Sequence, residues 1–410
     1  MSQQGPILVV SSDAWPPFLT ALDEAKMFPV IETGWADAAR AVTQVQPAVV
    51  LAAMSGGPVA RFTALAEQIA ARKPYLPLIA VEPTSALPEN ALPFTQNGGN
   101  IDRLVARLRA ALRIRALHAT VLRRLASEAA PQTKLPDTDP ARDATVLLLG
   151  RGAAFAALSV ALGERMGVVG AFSIEAAANH LNTRDIDGII LGEGFSARVV
   201  HAFITVLTED ARFRNLPVVL TSAELAPTYD MPNLEIILGE PPHVASNALP
   251  LIRQHAFEAQ LTRTLRAIEA GGLLDPQTGL LTKVAFARDF ATAVAQTKSN
   301  GSGLSVARFA FDLAHPRARF DGARIISRLM RRMDFGALHD DGSVLVAFAE
   351  TDLRAAHGIA RRLSSVMRHT SHGKRDARAE PSISVAALSP TDTPASLLAR
   401  LYADRQRAAS

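Results

Sequence analysis

Ala48-Val49-Val50-Leu51-Ala52-Ala53 is an unbroken apolar run of six residues. It is too short for a buried helix, and it lacks the alternation of a half-solvated strand. A run of this kind predicts a strand buried on both faces, and therefore a parallel sheet covered by helices on both sides. Working outward, Ile7-Leu8-Val9-Val10 and Leu76-Pro77-Leu78-Ile79-Ala80-Val81 have the same character. Amphipathic patterns such as Val59 to Ala71 lie between them, and a helical pattern from Ile101 to Leu125 closes the segment. Short apolar strands alternating with helices give an α/β fold.

The plan repeats downstream. Ser127 to Asp143 carries Pro131, Pro136 and Pro140 among polar residues and reads as a linker. Four strands follow at Val146-Leu149, Gly188-Leu191, Pro217-Leu220 and Leu234-Leu238, with Gly152 to Gly163 as a core helix. A helix of about Ala248 to Glu269 leads out, its Phe257, Leu261, Leu265 and Ile268 forming one stripe, either core or a helix-pair contact. A third segment has a strand at Ser305 to Asp312, helical pieces over Ala323 to Met333 and a hairpin at His339 to Phe348. A helix over Asp352 to Met367 and a strand at Ser382 to Leu388 complete it. The expected organisation is three domains with boundaries at 5–126, 144–269 and 270–410, joined first by a linker over 127–143.

The chain has 410 residues, 48% of them hydrophobic and 20% charged, enough for several cores. No apolar run is long enough to span a bilayer, and the N-terminus lacks the basic stretch of a signal peptide. Cysteine is absent, which excludes disulfides and thiolate metal sites. These features predict a cytoplasmic protein. A net charge of +4 with arginine spread along the whole chain is a poor footprint for nucleic acid.

In length and strand pattern the first two segments resemble the receiver domains of two-component response regulators, which have a flavodoxin-like fold. A working receiver holds Mg²⁺ with an acidic pair after its first strand and accepts phosphate on an aspartate after its third, because Mg²⁺ requires hard oxygen ligands. Here the acidic pair falls at Ser11 and Ser12, and at Gly150 and Arg151. The phosphoacceptor falls at Ala53 and at Gly192, and Glu240 stands where a lysine is expected. Asp13 and Glu193 are the nearest acidic substitutes, more simply read as solvated loop residues. Both segments are thus expected to be degenerate receivers used for docking or homodimerisation.

Asp275-Pro276-Gln277-Thr278-Gly279-Leu280, continued by Lys283 to Phe286 and Asp289-Phe290, resembles the opening of GGDEF diguanylate cyclase domains, a nucleotidyl-cyclase-like α/β fold. Ser382-Ile383-Ser384-Val385-Ala386 and Leu397 to Tyr402 are similar to the family's closing strand and helix. The signature hairpin reads Asp340-Asp341-Gly342-Ser343-Val344, without the two leading glycines and with Ser343 at a metal-binding position. The other metal position is Ala310, beside Asp312. Joining two GTP molecules needs metal-binding carboxylates and a glycine turn open to the nucleotide, so these losses imply no catalysis, no catalytic residue and no metal.

One family feature is present. Arg331-Arg332-Met333-Asp334 matches the R-x-x-D inhibitory motif in the family's register to Asp340, and Arg362 matches a further arginine of that site, with Arg361 as its rival. An arginine fork fits the O6/N7 edge of guanine, a carboxylate accepts from guanine N1–H and N2–H₂, and a second arginine pairs with phosphate. Such a motif also arises by accident: Arg184 and Asp187 form one with no assigned function. Two degenerate receivers before a degenerate GGDEF domain resemble the PopA-like cyclic di-GMP effectors. That resemblance implies a non-catalytic receptor with cyclic di-GMP as ligand, needing no cofactor. It also implies delivery of substrates in cell-cycle-regulated proteolysis through an RcdA/ClpXP-type adaptor pathway, and localisation at a cell pole. The alternatives are a ligand-free interaction scaffold and, less favoured, a weakly active cyclase.

Overall fold

A computed structural model describes the chain except residues 1–4, 13–15, 17, 27–28, 97–101, 127–132, 223–230, 313–315, 372–379 and 409–410. Asp13 lies outside the described residues. The fold is mixed α/β and contains three sheets.

The first sheet contains β1 (Ile7–Ser11), β2 (Val30–Gly34), β3 (Val49–Ala53), β4 (Leu78–Val81) and β5 (Ala91–Phe94), all parallel, in the order β2-β1-β3-β4-β5. Helices α1 (Phe18–Glu24), α2 (Ala38–Val45), α3 (Val59–Ala70) and α4 (Asp102–Leu125) connect and cover it. Residues Val49 to Ala52 of β3 are completely buried, as the unbroken apolar run requires. Strands β2 and β5 are additions to the expected set. Both lie at the sheet's edges, where Glu32 and Thr33 of β2 and Pro93 of β5 are tolerated because an edge strand needs only one row of ladder bonds.

The second sheet uses β6 (Thr145–Leu149), β7 (Gly167–Ala171), β8 (Gly188–Leu191), β9 (Val218–Leu220) and β10 (Leu234–Ile236). Its helices are α5 (Phe155–Gly163), α6 (Ile174–Thr183), α7 (Ala197–Glu209) and α8 (Pro241–Glu269). The strand order β10-β9-β8-β6-β7 repeats that of the first sheet. Strand β7, with two glycines in five residues, escapes an apolar-run criterion. Helix α8 begins seven residues earlier than its apolar stripe suggests. Pro241 and Pro242 occupy its first positions, where a missing N–H costs nothing.

The third sheet is antiparallel, in the order β12-β13-β11-β15, from β11 (Leu304–Ala310), β12 (Phe335–Leu338), β13 (Val344–Ala349) and β15 (Ser382–Ala387). Its helices are α9 (Lys283–Asn300), α10 (Pro316–Leu329), α11 (Leu353–Met367) and α12 (Pro394–Ala408). The hairpin starts at Phe335 rather than His339. Helix α10 ends at Leu329, so Arg331 and Asp334 sit in the turn between α10 and β12 and not on a helix. The two-residue strand β14 (Thr370–Ser371) leaves this sheet altogether and pairs antiparallel with β7 of the second.

The described part of the proline-rich stretch is packed rather than solvated at its end. Pro140–Asp143 forms a 3-10 turn capped by Asp139, and Ala141 is buried in the second core among Val244 and Leu249. Apolar residues spaced among the prolines explain why a composition signal for a linker gives an ordered connection.

Helix α8 binds the parts together. Leu251 enters the first core and Ile252 the second. Leu261, Phe257 and Leu265 meet Ile114 and Val121 of α4, which resolves the stripe as a helix-pair contact. Beside it lies a buried ion cluster. Arg107 donates to Glu235 Oε1 at 2.9 Å, to the Pro232 carbonyl at 2.5 Å and to the Pro93 carbonyl. Arg103 lies 3.3 Å from the same carboxylate oxygen, and the Thr95 N–H donates to Glu235 Oε2 at 3.2 Å. Both guanidiniums stand over the Phe94 ring. Burial pulls Arg107 down to about 10, with Glu235 opposing the shift, so the group stays charged at neutral pH.

Removing one member of such a cluster strands buried charge. Glu235→Ala is expected to lower unfolding stability by about 3–5 kcal/mol, and replacing Arg103, Arg107 and Glu235 together with apolar residues to recover most of that loss in denaturant titrations.

Candidate functional site

The opening turn of the third segment is a clasp. Asp275 accepts from the Thr278 N–H at 3.0 Å and the Thr278 hydroxyl at 2.5 Å, while its own N–H donates to the Leu280 carbonyl at 2.8 Å. Gly279 takes a left-handed φ of +75° that closes the turn and sends Leu280 into the core. Arg324 of α10 donates to the Gln277 carbonyl at 2.9 Å and Arg263 of α8 to the Pro276 carbonyl at 3.4 Å, so the turn is held from both sides.

At the hairpin tip, His339 N–H donates to the Ser343 carbonyl at 2.8 Å and Gly342 adopts a φ of +76°. The side chain of Asp341 turns back on its own strand. Its Oδ1 accepts from the Ser343 N–H at 3.0 Å and the Ser343 hydroxyl at 2.6 Å. Its Oδ2 accepts from Arg308 Nη2 at 2.8 Å. Arg308 is 4% exposed on β11, two residues before Ala310 and so on the same face, with its guanidinium 4.6 Å from the Tyr402 ring centroid. Burial works against the Asp341 charge, but the bonds from Ser343 and Arg308 outweigh it and hold the carboxyl at about 2. Asp340 pairs with Lys283.

The two positions that would carry metal ligands therefore hold Ala310, partly buried at the end of β11, and Ser343, fully buried and donating to Asp341. The neighbouring Asp341 carboxylate is already paired with the Arg308 guanidinium. Asp312 is exposed beyond the strand end. Among the described residues no group of three or more His, Asp or Glu side chains is arranged to hold a metal ion. Arg308 is the functional neighbour that sequence inspection missed. Its only signal is its position, one period of two before Ala310.

The R-x-x-D residues stand at the open end of the hairpin, opposite its tip. The Asp334 N–H donates to the Arg331 carbonyl at 3.0 Å, which makes the motif a tight turn. Asp334 is 7% exposed and its Oδ1 accepts from the Ala349 N–H at 3.2 Å, tying the turn to the end of β13. Burial raises its pKa, against the backbone bonds and Arg331. Arg331 is exposed just after α10, and Arg361 and Arg362 are exposed on α11, which packs against α10. None of these three guanidiniums makes a hydrogen bond or ion pair among the described residues.

Arg184 and Asp187, set aside in the sequence, are structural. Asp187 accepts from the Thr145 N–H at 2.9 Å. The buried Arg184 guanidinium donates to the Val366 carbonyl of α11 and approaches Asp321 of α10, joining the second and third segments.

At the carboxyl ends of the first sheet's strands, Ala53 packs against the core and Ser12 donates to the Gly56 carbonyl at 3.2 Å. In the second sheet, Gly192 N–H is bonded to the Leu149 carbonyl at 2.8 Å. Arg151 donates to the Phe172 carbonyl at 2.5 Å and stacks over Phe195. A cation thus stands where the acidic pair is expected. Glu240 precedes the first turn of α8.

No family model matches the chain, and no curated protein matches it. Among solved structures, it is similar to the GGDEF domain of DgcB from Caulobacter crescentus in complex with c-di-GMP, at 16% identity over 33% of this chain and 89% of that one, with a TM-score of 0.28. The GGDEF domain of FimX from Pseudomonas aeruginosa aligns at 19% identity over 32% and 89%, with a TM-score of 0.29. Diguanylate cyclase SiaD from the same organism, in complex with its activator SiaC, aligns at 19% over 36% and 64%, with a TM-score of 0.30.

A depressed carboxylate contributes stability that is present above its unfolded value, near 4, and is lost as pH falls through its folded value. The Arg308–Asp341 link should accordingly survive at pH 4 and break towards about pH 2, and Asp341→Asn should abolish that step in an acid titration followed by NMR of the hairpin. The same substitution should cost about 1–2 kcal/mol in unfolding stability.

Proposed function

We propose that the chain is a non-catalytic receptor for cyclic di-GMP, with a degenerate GGDEF-like third segment. The observation that carries this reading is the contrast between the two ends of one hairpin. At the tip, Ser343 stands where the resemblance expects a metal-binding acid, and the adjacent Asp341 is already held by Arg308 and Ser343. At the open end, Arg331 shares a tight turn with the anchored Asp334, and Arg362 is exposed on the neighbouring α11, both without an ion pair among the described residues. Two arginine forks and one carboxylate match the acceptor edge, the donor edge and the phosphates of a guanine dinucleotide. A raised Asp334 pKa suits a group that is desolvated before its ligand arrives.

The first two sheets, with Ala53 and Gly192 at the acceptor positions, serve as degenerate receivers that dock protein partners. Partners of the RcdA/ClpXP adaptor kind, and a place at a cell pole, belong to this proposal. No described helix is long and apolar enough to cross a membrane.

Calorimetric titration of the full chain with cyclic di-GMP tests the reading. Binding in the micromolar range or tighter is expected, with loss of at least about tenfold in affinity for Arg331→Ala. Binding unchanged in that variant moves the site elsewhere, and no binding by the wild type leaves the scaffold as the function.

A further inference from the structure

Helix α11 carries more positive charge than the nucleotide site uses. Arg354, His357 and Arg361 recur at three- and four-residue spacing, with Ser365 and Arg368 continuing the stripe, and all five are exposed. The helix contains no acidic residue. Arg362 falls to one side of the stripe, and Leu353, 44% exposed, to the other.

Of the stripe's arginines, Arg368 pairs with Glu380, and the rest of the charge is unpaired among the described residues. Elsewhere in the third segment cations are drawn into ion pairs: Lys283 with Asp340, Arg308 with Asp341, Arg328 with Asp185, Arg400 with Asp392. Arg354 and Arg361 have no such partner among the described residues. Arg354 also lies in the first turn of α11, where the helix dipole disfavours a cation, and Asp352 already caps that end through the Ala355 N–H at 2.7 Å. Like charges one turn apart repel. Local stability therefore argues against this arrangement, and an external anionic partner would explain it.

We infer that the exposed face of α11 is a docking surface for an acidic protein segment carrying at least one apolar residue. The spacing from Arg354 to Arg368 spans about 21 Å, the reach of three to four turns of a partner helix. An acidic protein fits better than nucleic acid because the stripe holds no Phe, Tyr or Trp for base stacking, whereas exposed Leu353 offers an apolar contact that phosphates cannot use. Arg331, Asp334 and Arg362 are outside the stripe; Arg361, the rival of Arg362, is inside it, so Arg354→Glu alone, which should also weaken peptide binding while leaving cyclic di-GMP binding unchanged, keeps the two surfaces apart.

The test is fluorescence anisotropy of the full chain with a dye-labelled glutamate-rich peptide of about twelve residues carrying two leucines. The expected result is saturable binding that weakens at least about tenfold in an Arg354→Glu/Arg361→Glu double variant and falls as salt rises from about 0.05 to about 0.5 M. Arg288→Glu, on α9, serves as the control with unchanged binding, and Arg354→Gln/Arg361→Gln should give an intermediate loss with an unchanged circular dichroism spectrum. The inference is overturned if the peptide fails to bind at millimolar concentration or the double variants bind like wild type. Equal or tighter capture of a single-stranded oligonucleotide of the same charge by the same residues overturns it as well.

Discussion

One carboxylate, that of Glu235, fixes how the first two sheets meet. It sits on an edge strand of the second sheet and is enclosed by two arginines from a helix of the first, with a backbone N–H completing its shell. Desolvating three charges is costly, and their mutual attraction offsets that cost only in one geometry. Apolar contacts between α4 and α8 would tolerate sliding by a turn; the ion cluster would not. It therefore selects the register of the helix pair, and the third segment inherits that register because α8 runs on into it and clasps its opening turn through Arg263.

The third segment shows the same principle applied at an exposed hairpin tip. An exposed hairpin tip with two aspartates is a place where cations collect. Here the chain supplies its own, Arg308 beneath and Lys283 beside, and Ser343 adds a donor to Asp341. Arg308, Asp341 and Ser343 form a closed network in which donors and acceptors match, which orders the hairpin locally.

The α/β character was legible from the sequence because central strands such as β3 are apolar on both faces and announce themselves. The strands that escaped were β2, β5 and β7, whose polar, proline or glycine content is permitted by their position near an edge, a fact that local pattern does not carry. The start of α8 was hidden by two prolines that usually break helices and here begin one. At the site, the identities of Ala310 and Ser343 were legible because each is a single residue. Arg308 was not, because its meaning depends on a contact across the sheet. The R-x-x-D turn was legible as a motif but misplaced on a helix, since α10 stops one turn earlier than its apolar pattern suggests.

The two parallel sheets share a strand order, and each gives its last strand and last helix to the contact with the other. Equivalent surfaces facing one another are the hallmark of a symmetric pair of subunits. This polypeptide holds such a pair within a single chain, with the asymmetric ion cluster marking which half is which. Its stoichiometry is thereby internalised. The pairing has no dependence on concentration and cannot be diluted apart, and a further copy of the chain would have to attach through some other surface.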